Sequence, residues 1–181
     1  MDGYEDPLDE LGAELRAHVG GEFRRAAEDD EAAARQLMLR RRTLTDVGFE
    51  LANRGDLVRL LVGPDRFVGT VVHARSDLLT LQTAGRGTIH ANLASTVTLR
   101  VMARLRTGGR PVDELGPDSF RARLRQLELE EEPVTLSLPL VGETVRCRLE
   151  AVAEDHVYSI DLDGHEWFIP TGQIAAVIQR V

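Results

Sequence analysis

Residues 58–101 place apolar side chains at alternate positions in five short runs, with turn residues between them. This pattern constrains the fold more than any other feature of the chain, because it reads as five strands in a small antiparallel sheet. Val58, Leu60 and Val62 form the first run, and Phe67, Gly69 and Val71 the second. Leu79 and Leu81 mark the third, Ile89 leads the fourth, and Val97, Leu99 and Val101 make the fifth. Gly63-Pro64-Asp65 and Arg75-Ser76-Asp77 are turn sequences, Ala84-Gly85-Arg86-Gly87 is a hairpin tip, and His90-Ala91-Asn92 forms a corner. Gly69 in mid-strand permits a sharp bend.

The segment from Val134 to Val181 follows the same course. Val134, Leu136 and Leu138 match the first run at an offset of 76, and Val145, Cys147 and Leu149 match the second at 78. Ile169 matches Ile89, and Gln179-Arg180-Val181 matches Leu99-Arg100-Val101, at 80. The offset grows by two in each of two loops, where insertions are tolerated. One unit written twice is the reading these offsets support.

Helical patterns precede each copy. Leu8, Leu11, Leu15 and Val19 recur at helical spacing before Gly20-Gly21. A longer pattern from Glu22 to Arg42 carries Phe23, Ala27, Ala34 and Leu37 on one face. That face either packs on its own barrel or pairs with a second helix. Thr45 reads as the N-cap of a short helix over Asp46–Ala52, and Phe120, Leu124 and Leu127 mark another before the second copy. The expected organisation is a helical region over 1–44, a first barrel with its helix over 45–102, a linker over 103–117, and a second barrel with its helix over 118–181.

Charge is unevenly spread over the chain, whose net charge is −8. Residues 54–102 carry six Arg and three acids, hence +3, while residues 133–181 carry three Arg and seven acids, hence −4. The overall balance argues against broad, non-specific nucleic-acid binding, which depends on neutralising phosphates. All 22 basic residues are Arg, which a GC-rich genome accounts for more simply than selection for bidentate contacts. Cys147 is the sole cysteine, so no intrachain disulfide forms and a reducing compartment is compatible. The acidic start MDGYEDPLDE has no apolar run, so it does not read as a secretory signal, and a cytoplasmic location is the expectation. No apolar run approaches the length of a membrane span.

A helix followed by five strands with this spacing resembles the Sm and Sm-like family, including its bacterial host-factor type. Val58, Leu60, Gly63, Phe67, Gly69 and Val71 fit the family's first motif, and Ile89-His90-Ala91-Asn92 keeps the first and last residues of its second. The likeness covers residues 45–102 more fully than 118–181, and it extends to actinobacterial proteins with two such barrels and no assigned activity. It implies an α+β fold: N-terminal helices, then two tandem Sm-like five-stranded antiparallel β-barrels, each preceded by a helix. It further implies RNA binding through the first barrel, and rings built by pairing the fourth strand of one barrel with the fifth of the next. The family's Asn between strands two and three is missing from His73-Ala74-Arg75-Ser76-Asp77.

On this resemblance His73, Arg75, Arg86, His90 and Asn92 are the nucleic-acid-binding candidates. Arg75 would meet phosphate, Asn92 a base edge, and His73 or His90 would stack or hydrogen-bond. The competing reading makes them ordinary solvated loop residues. Aromatics are 4% of the chain, too few for a broad stacking platform. Cys147 reads as a core thiol, and His156, Asp163, His165 and Glu166 as hairpin-tip polarity without metal-ligand spacing. In Trp167-Phe168-Ile169 strand alternation turns one ring outward, to cover a helix or another barrel. No nucleotide-binding loop or catalytic triad is present in the sequence. The expectation is a non-catalytic RNA-binding module, with a protein-interaction or scaffold module forming homo-oligomers as the alternative. No cofactor, metal, membrane or small-molecule substrate is expected.

Overall fold

The structure, a computed structural model, describes residues 30–85, 87–104 and 116–179. The chain divides into two compact units, one ending at Arg42 and one running from Thr43 to Val181. In the first unit residues 30–41 are helical (α1), and every side chain of that stretch is exposed. Ala34 and Leu37 lie on it, whereas Phe23, Ala27 and the earlier helical pattern lie outside the described residues.

The second unit begins with α2 (Leu44–Arg54), followed by β1 (Leu57–Val62), β2 (Asp65–Arg75), β3 (Leu78–Thr83), β4 (Thr88–Asn92) and β5 (Thr98–Ala103). Then come α3 (Phe120–Glu130), β6 (Val134–Leu138), β7 (Glu143–Val152), β8 (His156–Asp161), β9 (Glu166–Pro170), a single 3-10 turn (Thr171–Gln173) and β10 (Ala176–Gln179). Both helices are fixed by their caps. Thr43, not Thr45, caps α2, in a capping box with Asp46, and Ser119 caps α3. Both end on a left-handed residue, Gly55 for α2 and Glu131 for α3.

The expectation of two closed five-stranded barrels is overturned. All ten strands form one open antiparallel sheet in the order β5-β1-β2-β3-β4-β10-β6-β7-β8-β9. The reason lies in the edges. β4 does not close onto β5; its free side is taken by β10, with His90 opposite Val177 and Ile89 opposite Ile178. Among the described residues β5 and β9 are left with one neighbour each. Alternation along a strand says which residues face a core, but not which strand will occupy an edge.

Register relates the two halves more simply than the sequence offsets do. Val71 pairs with Leu81 and Leu149 with Ser159, each 78 residues on. Leu79 pairs with Ala91 and Val157 with Ile169, again 78 on. A bulge interrupts β2 between Val71 and His73 and β7 between Leu149 and Ala151. Leu60 pairs with Leu99 and Leu136 with Val177, so β5 corresponds to β10 at 78 while β1 corresponds to β6 at 76. The shift to 80 is absent, and the one length change falls in the turn after β1 and β6.

Two cores lie on the sheet. The first joins α2 (Leu51, Ala52) to Val58, Leu60, Val71, Leu79, Leu81, Ile89 and Ala91. The second joins α3 (Phe120, Leu124, Leu127) to Val134, Leu136, Cys147, Leu149, Val157 and Ile169. The seam strands serve both. β3 gives Leu79 to the first core and Leu78 to the second, and β10 gives Ala176 to the first and Val177 to the second. Full burial of each such Leu or Val side chain contributes about 1.5–3 kcal/mol. At Gly48 the close approach of α2 leaves little room: an added Cβ would lie 3.1 Å from Leu79 Cδ1.

Candidate functional site

Register brings four of the five predicted residues together. His73 lies opposite Thr80, which lies opposite His90, and Arg75 lies opposite Leu78, which lies opposite Asn92. These two rows run across the face of β2, β3 and β4 turned towards α3. Arg86 lies outside the described residues.

His73, His90 and Asn92 are buried. His73 Nε2 lies 3.0 Å from the carbonyl of Pro117 and donates to it, while Nδ1 has no partner among the described residues. Asn92 ties β4 to the approach of β10: its Nδ2 donates to the Ile174 carbonyl (3.2 Å) and its Oδ1 accepts from Ala94 N (3.0 Å). Its backbone N–H donates to the Ala175 carbonyl at 2.9 Å. Arg75 is exposed and pairs with Asp118 at 2.6 Å. The next turn residue but one, Asp77, accepts from Phe120 N at 2.8 Å, at the N-terminus of α3, where a carboxylate is favoured by the helix dipole. Thr45 Oγ1 donates to the Ser76 carbonyl (2.6 Å). The Arg75-Ser76-Asp77 turn therefore fastens α2 and α3 to the sheet.

His90 is the centre of a polar network across the seam. Arg123 Nε donates to His90 Nε2 (3.1 Å), so that nitrogen carries the lone pair, and the ring proton sits on Nδ1 and is donated to Thr80 Oγ1 (3.1 Å). The 3.0 Å approach of Gln179 Oε1 to Nε2 is then a contact between two acceptors, and that oxygen is satisfied by Arg123 Nη2 (2.7 Å) instead. Glu130 completes the set, accepting from Arg123 Nη1 (3.0 Å) and Gln179 Nε2 (2.9 Å). Burial pushes the His90 pKa down to about 4; the Arg123 charge adds to this, and the Gln179 carboxamide opposes it. His90 is thus neutral at pH 7.

Three further surfaces lie outside the predicted nucleic-acid-binding set, and of these the arginine face alone was not singled out by sequence reasoning. Arg59 lies directly opposite Arg100 and Leu61 opposite Arg66, so the outward face of β5, β1 and β2 carries three arginines. Among the described residues of these strands no carboxylate shares that face. On β8 and β9 Tyr158 stacks on Phe168 at 5.0 Å between ring centroids, and His156 tilts against Phe168 at 6.1 Å. Phe168 is the outward ring that alternation required, while Trp167 packs on the second core. Asp161 gathers the β8–β9 hairpin: it accepts from the backbone of Asp163 (2.9 Å) and His165 (2.8 Å) and from Trp167 Nε1 (2.9 Å). These bonds, led by that from Trp167, hold its pKa at about 2. Asp161, Asp163 and His165 could all reach one cation, but their mutual bonds are those of a tight hairpin. Cys147 is buried, and burial raises its pKa, as expected of a core thiol.

No model of a known protein family matches the chain, and no curated protein does. Among the described residues no helix is long and apolar enough to cross a membrane.

Proposed function

We propose that this chain is a non-catalytic protein-interaction module that assembles by extending its sheet. The observation that carries this reading is that β5 and β9, at the two ends of the continuous ten-stranded sheet, each have one edge with no partner strand among the described residues. An open edge presents a row of free backbone donors and acceptors to another strand. Apolar side chains flank both edges, Val101 and Met102 on β5 and Phe168 on β9, beside Arg100 on β5 and Glu166 and Pro170 on β9, residue types that blunt an edge. The polar candidates on β4 support the same reading, since His90 and Asn92 spend their hydrogen bonds inside the fold. Light scattering across a concentration series tests it: mass should rise above that of one chain, and a constant single-chain mass would end it.

RNA binding is a second reading, favoured by the Arg59, Arg66 and Arg100 face. Like charges directly opposite on neighbouring strands are unfavourable, and a phosphate backbone would relieve the Arg59–Arg100 pair. An oligonucleotide should then bind at low salt, and Arg59→Ala with Arg100→Ala should abolish that binding more fully than Arg75→Ala. Equal anisotropy with and without protein at low salt would remove this reading.

A further inference from the structure

We propose that this chain forms a closed dimer through α1, which packs antiparallel on α1 of a second copy about a twofold axis between Arg35 and Gln36. The contact is independent of the sheet edges, because α1 belongs to the first compact unit and the sheet to the second.

Every side chain of residues 30–41 is exposed, among them Leu37 at 51% and Met38 at 72%. A helix left bare gains nothing from tertiary packing, the main source of helix stability in proteins. Asp30, Ala34, Leu37 and Arg41 follow one another at spacings of four, three and four. They therefore form one stripe along the helix, with Ala33 and Met38 on its two flanks. No ion pair among the described residues engages Asp30, Glu31, Arg40 or Arg41.

The helix is complementary to its own reverse. Stepping outward from the Arg35–Gln36 bond, Leu37 comes level with Ala34, Met38 with Ala33, Leu39 with Ala32, Arg40 with Glu31 and Arg41 with Asp30. Large apolar side chains thus match small ones near the centre, and bases match acids at the ends. Within the stripe an antiparallel partner sets Leu37 over Ala34 and Arg41 against Asp30, and the twofold axis repeats both contacts. The apolar centre supplies the burial that drives association. A parallel partner would set Asp30 against Asp30 and Arg41 against Arg41, which like charge disfavours. It would also set Leu37 against Leu37 beside a gap at Ala34. The helix dipole by itself favours acids at the first turn and arginines at the last. It gives no reason for the Ala half to mirror the Leu-Met-Leu half, which antiparallel packing does. Because the same surface is used by both copies, the contact closes at two chains.

Disulfide trapping in the full chain tests the contact and its direction. Asp30→Cys and Arg41→Cys are made separately; both positions are exposed, the native Cys147 is buried, and matching far-UV spectra check the fold. In the antiparallel pair, position 30 of one copy lies beside position 41 of the other. Two copies of position 30 lie about 16 Å apart along the axis, beyond the reach of a disulfide. An equimolar mixture under air oxidation should therefore give at least about tenfold more covalent two-chain product than either variant alone. The mixed pair also keeps one Asp30–Arg41 contact. No product from the mixture, or equal product from each variant alone, overturns the inference. Charge reversal is the second measurement. Arg41→Asp puts like charges at both ends of the contact and should weaken the two-chain species about tenfold in sedimentation equilibrium. Asp30→Arg combined with Arg41→Asp should restore it, and a combined variant as weak as Arg41→Asp overturns the inference as well. Failure here is distinct from failure of the sheet-edge reading. Mass that rises with concentration while trapping fails leaves that reading standing, whereas trapping that succeeds with mass halting at two chains upholds this inference and ends that reading.

Discussion

His90 is held neutral in a buried network, and this sets a pH window for stability. Its pKa falls from 6.5 to about 4 on folding. As pH drops below 6.5 the unfolded chain takes up a proton that the folded chain does not, so stability is lost between those two values and changes little outside them on this account. The loss should reach about 3 kcal/mol, read as a fall in urea midpoint that His90→Gln removes. Asp161 acts at lower pH: its depressed pKa contributes stability that is present above 3.8 and lost as pH falls towards about 2. Gly69 is a second residue with a sharp requirement. A Cβ there would lie 2.5 Å from the Gln82 carbonyl oxygen, so Gly69→Ala should cost about 2 kcal/mol in urea unfolding. Its place in an alternating strand marked it as special but suggested a bend; the structure gives instead a close approach to the β3 backbone. The burial of His73, His90 and Asn92 was not legible, because the helix that covers their face begins at Phe120, beyond any local pattern. Polar residues at a corner look the same whether water or a distant helix lies above them.

At the scale of elements, α2 and α3 differ where their caps should be alike. Gly55 and Glu131 both adopt the left-handed conformation, at φ 66 and φ 55. Glycine accepts it freely, whereas a side chain is strained there, and a carboxylate at a helix C-terminus also opposes the dipole. Glu131→Gly should therefore stabilise the protein by about 1 kcal/mol, visible as a raised melting temperature. The strands themselves were readable: the alternating residues of all five runs in the first half fall within or beside β1 to β5. What pairs with each strand was not readable, because β4 has the same composition whether β5, β10 or solvent lies beside it. The constant 78-residue shift was obscured for a related reason. Ile89 and Ile169 look equivalent by type, yet the ladder sets Ile169 against Ala91 and Trp167 against Ile89.

Across the whole molecule, the halves are joined by a strand that belongs to both cores. Ala176 and Val177 face opposite sides of the sheet, and the β4–β10 ladder makes the sheet continuous. Stopping the chain before Ile174 should therefore destabilise residues 57–103 as well as the second half. Hydrogen exchange should show protection lost in β3 and β4 together with β6, and unchanged protection in β4 would contradict this. The same strand governs how a nascent chain matures. Some 84 residues separate Asn92 from Ala176, on the order of ten seconds of translation. Throughout that interval the earlier half has emerged with β4 uncovered, and on a crowded polysome the first β10 to arrive can belong to a neighbouring ribosome's product. Slow synthesis at high expression should thus raise the share of exchanged, intertwined dimers, read by size-exclusion chromatography of freshly made protein, and an unchanged share would contradict this.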